Sequence, residues 1–128
     1  MNVIWHRAGA VLYVLWGLLH VLAAFLVLPS ATAGLQEGIS LARVQQNSVF
    51  MALVGLATVW IAVAFNWRGS RFGYWFNLYL VTAADLGFIV LVLLPGYEAL
   101  PQGLIGPTLW VLAVFASTLG MLREKTIP

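Results

Sequence analysis

Two residues stand out for the chemistry their types allow. His20 sits in "GLLHVLA", residues 17–23, and Asp85 in "TAADLGF", residues 82–88. Of all His, Asp, Glu, Lys and Arg side chains, only these two lie deep inside long apolar runs. An imidazole beside a carboxylate can exchange protons, orient a polar ligand, or bind one helix to another. An ionised group in the middle of a membrane span costs at least ~2.5 kcal/mol, so such groups turn toward a bundle interior and find partners. Two positioned groups suffice for general acid–base work, yet neither stretch carries a nucleophile with oxyanion donors at a defined spacing. The plain alternative is a structural pair that only holds helices together.

The two residues are matched in depth. His20 lies 13 residues after Arg7, and Asp85 lies 14 after Arg71. At 1.5 Å per residue each is about 20 Å along its helix. From the other end, His20 is nine residues before Pro29 and Asp85 ten before Pro95. Parallel first and third helices would therefore bring them to one height, where they are expected to interact directly or through one water.

The elements that must position them follow from composition. Apolar types make up 62% of the 128 residues and charged types 8%. A water-soluble domain carries roughly 25% charged residues, so the chain reads as an integral membrane protein with one transmembrane domain, residues 1–128. Four runs approach the ~20 residues a helix needs to cross the hydrocarbon core: residues 8–28, 48–65, 73–94 and 104–122. Pro29, "NWRGSR" at 66–71 and "PGYEALPQG" at 95–103 separate them, and Trp5, Trp67, Tyr74, Trp75 and Tyr97 cluster near run ends as interfacial aromatics do. The expected fold is all-α, an integral membrane four-helix bundle with short loops. "RVQQNS", 43–48, is expected to begin the second helix at the membrane surface. "SATAG", 30–34, resembles a signal-peptidase site, but the preceding apolar run is longer than the 7–15 residues of a signal peptide and is read as a true span.

Arg7, Arg68, Arg71, Arg123 and Lys125 fall on one side of such a bundle, and Arg43, Glu37 and Glu98 on the other. The positive-inside rule then places both termini in the cytoplasm, with a bacterial-type inner membrane as the expected location. Each run has one small or polar stripe: His6, Gly9, Tyr13, Gly17, His20 and Ala24, bordered by Trp16, on the first; Gln45, Ser48, Ala52, Gly55, Thr58 and Ala62 on the second; Tyr74, Thr82 and Asp85 on the third; Gly106, Ala113, Ala116, Ser117 and Gly120 on the fourth. Small residues let membrane helices approach closely. Asn66 and Asn77 read as caps or interface groups near the cytoplasmic face.

The functional expectation is a site that binds, or binds and transports, a small apolar or amphipathic molecule, made by His20 and Asp85 with Tyr13, Trp16, Thr58 and Thr82 around them. The alternatives are a membrane enzyme using His20 and Asp85 as an acid–base pair on a lipid-like substrate, and a non-catalytic subunit of a larger membrane complex. A homo-oligomer or a place in such a complex is expected, with lipid as the surrounding partner. No basic stripe points to nucleic acid. No cofactor or metal is expected: the chain has no cysteine and two histidines, the latter about 21 Å apart on one helix at 1.5 Å per residue, too far to share a haem.

Overall fold

The computed structural model describes residues 2–124, and among them there is helix and no strand. In chain order the elements are α1 (Asn2–Leu26), α2 (Leu28–Thr32), α3 (Ile39–Ala64), a 3-10 turn (Asn66–Arg68), α4 (Arg71–Phe88) continued by a π turn (Ile89–Leu93), α5 (Leu100–Gly103) and α6 (Ile105–Glu124). Four helical segments are long and apolar enough to cross a membrane: Val3–Leu26, Ile39–Arg68, Arg71–Leu93 and Leu100–Arg123. Helix is the form that lets so apolar a chain satisfy its backbone within each segment.

The four long helices go up, down, up and down, each beside its chain neighbours, and α6 closes the ring against α1. α1 and α4 lie on a diagonal, and α1 is much more intimately packed on α3 and α6 than α4 is. Glycine is the reason. A Cβ on Gly17 would lie 2.6 Å from the Gly55 carbonyl oxygen, and a Cβ on Gly55 would lie 2.6 Å from that of Gly17. The α1 and α3 backbones therefore touch where they cross. Gly9 is pressed in the same way on the Ser117 backbone of α6. These contacts leave large apolar side chains outward: Leu22, Phe50, Leu53, Trp60, Leu91 and Phe115 are all more than half exposed.

The short connections explain where the helices differ from expectation. α1 begins before residue 8, and Pro29 sits in the first turn of α2, where its missing N–H breaks no helical bond. α3 begins at Ile39, so "RVQQNS" lies within it rather than at its start, and the connection between the first two long helices is mainly α2 and the turn at 33–38. Between α3 and α4 the chain reverses at Gly69, whose φ of 72° is a left-handed conformation that costs glycine nothing. Gly69 and Gly120 hold the His6 ring between them. Arg7 lies over the Trp67 ring at 5.1 Å and Arg123 over Trp5 at 5.5 Å. The start of α1, the α3–α4 turn and the end of α6 thus gather at one end of the bundle, with four arginines. Lys125 lies outside the described residues.

Candidate functional site

The centre of the bundle is crossed by one side chain. Trp16 on α1 is fully buried, and its Nε1 donates to Asp85 Oδ2 on α4 at 2.7 Å. The indole spans the diagonal because it is both long and a hydrogen-bond donor. Asp85 is fully buried too, on a row at i, i+4 spacing with Gly73, Asn77 and Val81. One turn beyond it the helix widens, with the N–H of Ile89 shared between the Asp85 and Leu86 carbonyls, and Leu94 bonded back five residues to Ile89 at 2.9 Å. Pro95 follows and cannot donate to the ladder. Such π turns often lie beside functional residues.

His20 takes a different place from the one its depth suggested. Its Nδ1 donates to the Trp16 carbonyl oxygen at 2.9 Å, and its ring stacks on the indole with centroids 3.7 Å apart. The expected direct His20–Asp85 hydrogen bond is not formed. Trp16 stands between the two residues because its N–H reaches the carboxylate first and its ring seats the imidazole. The two groups nevertheless converge on Gly106 of α6. A Cβ built there would lie 3.4 Å from His20 Cε1, 3.9 Å from His20 Nε2 and 3.5 Å from Asp85 Oδ1. Asp85 Oδ1 is buried and accepts no hydrogen bond among the described residues. In a neutral imidazole with its proton on Nδ1, the Nε2 lone pair also turns toward this notch.

The other expected site residues distribute around the bundle. Tyr13 is buried in the apolar core with Trp16, Ala62, Val81 and Ala113. Its hydroxyl faces Ser117 without completing a hydrogen bond. Thr82 is half-buried and accepts from Trp110 Nε1 on α6 at 2.9 Å, which ties α4 to α6. Thr58 is buried, and its carbonyl accepts from Asn77 Nδ2 at 3.3 Å. No hydrogen bond joins Thr58 or Thr82 to His20 or Asp85 among the described residues, so both serve helix pairing at other points. The inward face of α4 is consequently not Tyr74, Thr82 and Asp85. Tyr74 and Thr82 sit at its edge, Tyr74 bonded to Thr118 at 3.1 Å.

Asn77 is the residue whose role sequence reasoning missed. It is fully buried rather than interfacial, and its amide meets that of Asn66 at 3.2 Å. The opposite orientation of the Asn66 amide exchanges that bond for donation to the Ile61 and Gly73 carbonyls, 3.2 Å each. Asn77 stands eight residues before Asp85, on the same i, i+4 row, and that spacing was the available signal. Gln45, Gln46 and Asn47 stay exposed, with Gln46 accepting from Arg43 at 2.9 Å. No cluster of three metal-ligating side chains exists among the described residues.

Fold and site together define a class: an all-α bundle of four helices apolar enough to span a membrane, with a buried carboxylate at its centre. Comparison with models of protein families, with curated proteins and with solved structures found no match for this chain.

Proposed function

We propose that this is an integral membrane protein, both termini cytoplasmic, in which Asp85, His20 and the Gly106 notch bind the polar end of a small amphipathic molecule. The observation that carries this reading is the Asp85 Oδ1 atom: fully buried, without a donor, and facing a space left by a glycine. A buried acceptor without a partner costs about 1–3 kcal/mol, and a ligand hydroxyl or amine would recover that. His20 Nε2 offers a second polar contact to the same group, and the Trp16 ring seats the imidazole. Passage of the ligand through the membrane is the natural extension, since intramembrane carboxylates commonly mark substrate and proton paths.

Native mass spectrometry of protein released from native membranes tests the reading. Wild type is expected to carry a small-molecule adduct that both Asp85→Asn and Gly106→Ala lack. Gly106→Ala is informative because its methyl group enters the notch at ordinary contact distances, while alanine favours helix over glycine by about 1 kcal/mol. An adduct-free wild type whose variants differ only in stability would reduce Asp85 and His20 to a structural arrangement. A stable mass with a second, different polypeptide would favour the subunit reading instead.

A further inference from the structure

At the arginine-rich end, the outer face of α4 carries two ring pairs. Phe72 and Phe76 have centroids 5.7 Å apart, and Trp75 and Tyr79 stack at 5.6 Å. Between them runs an open groove lined by Arg71, Phe72, Trp75, Phe76, Tyr79 and Leu80. A second groove lies on the other side of Trp75, between α4 and α6, lined by Arg71, Tyr74, Trp75, Thr118, Met121 and Leu122. Arg71 heads both. It is exposed, and its guanidinium has no hydrogen-bond, carboxylate or ring partner among the described residues. Arg7 is held over Trp67, and Arg123 over Trp5.

We infer that this face is a binding site for an anionic phospholipid, with one acyl chain laid along the groove from Arg71 to Leu80. The inference rests on the membrane reading above and adds a specific lipid partner. Three features fit one molecule. Arg71 is an exposed cation, without a partner among the described residues, and its planar fork suits a phosphate. The groove from Arg71 to Leu80 covers nine residue steps, about 13.5 Å at 1.5 Å per residue, which matches the ~15 Å of one leaflet's hydrocarbon, half of the ~30 Å core. The second groove is short, reaching along α4 only from Arg71 to Trp75 beside Tyr74 and Thr118, and it suits the polar glycerol region next to the phosphate. Aromatic walls give a chain large rigid contact area at little conformational cost.

The test uses the purified full-length chain, reconstituted into bilayer discs of equal phosphatidylglycerol and phosphatidylcholine, then released for native mass spectrometry. Wild type is expected to retain phosphatidylglycerol over phosphatidylcholine. Arg71→Gln is expected to lower that retention about fivefold, as one juxtamembrane basic residue should, and Arg71→Lys to restore part of it. Arg68→Gln, an exposed arginine at the same end but outside both grooves, is expected to leave retention unchanged. Trp75→Ala is expected to reduce retention of both lipids while the Arg71-dependent preference persists. Excess glycerol phosphate, which has the headgroup chemistry and no chains, is expected not to displace the lipid.

Equal retention of the two lipids, an equal loss in Arg68→Gln, or displacement by glycerol phosphate would each overturn the site. So would a dimer of this chain that covers the face and excludes lipid. Failure of the membrane reading itself would look different: the protein would stay soluble without detergent and would not enter the discs.

Discussion

Trp16 Nε1 lies 2.7 Å from Asp85 Oδ2, across the diagonal of the bundle between two helices that scarcely touch otherwise. This bond joins α4 to α1, while glycine contacts join α1 to α3 and α6. It also leaves Asp85 one oxygen occupied and one open, and the open oxygen is what makes the site a candidate for binding.

A double-mutant cycle separates the two possible partners of the carboxylate. Trp16→Phe with Asp85→Ala is expected to show a coupling of about 1–3 kcal/mol, the range that spans hydrogen bonds to neutral and to charged acceptors. His20→Ala with Asp85→Ala is expected to show less than ~0.5 kcal/mol, near the additivity limit. Reversible unfolding in micelles measures both. A larger coupling for His20 would mean that the imidazole, not the indole, is the partner.

The α1–α3 crossing has no room for a side chain. Gly17→Val should destabilise the bundle by about 1–3 kcal/mol or more through overpacking, because the Gly55 carbonyl is backbone and cannot turn aside. Gly87→Ala is the control. A Cβ there meets nothing within 4 Å, so the change should raise stability by up to ~1 kcal/mol through helix propensity. Thermal midpoints in one detergent give both values.

Asn77→Leu should cost about 1–3 kcal/mol, because it removes the donor to the Thr58 carbonyl and leaves the buried Asn66 amide short of a partner. Gln45→Leu, on the exposed start of α3, should stay within ~0.5 kcal/mol, as surface changes usually do. If the two cost the same in a denaturation series, the buried amide pair contributes nothing specific.

The orientation is open to a direct experiment because the chain has no cysteine. Gln36→Cys and Tyr97→Cys stand at the end away from the four clustered arginines, and Ser70→Cys at the end that holds them. In intact cells a membrane-impermeant maleimide should label the first two, with Ser70→Cys labelled only after permeabilisation. The reverse pattern would invert the proposed topology.

Much of the architecture was legible in the residues themselves. In a chain so poor in charge, long apolar runs read as helices long enough to span a membrane, and the breaks at Pro29, "NWRGSR" and "PGYEALPQG" are local chemistry. The small stripe on the fourth run was equally plain, and Gly106, Ala113, Ala116, Ser117 and Gly120 are all buried. So was the shared depth of His20 and Asp85, which depends only on helical rise.

The partners of those groups were decided in three dimensions. Depth places two side chains at one height but leaves their direction around each helix open, and that direction follows from how the backbones pack. Gly17 and Gly55 bring α1 onto α3, which aims Trp16 through the core at Asp85 and leaves His20 at the edge, folded back on its own helix. The same packing buries Asn77 and turns Thr82 aside to Trp110. It also sets Gly106 beside the unpaired carboxylate oxygen. A stripe in a sequence lists which residues can face inward; contact distances between backbones select which of them meet.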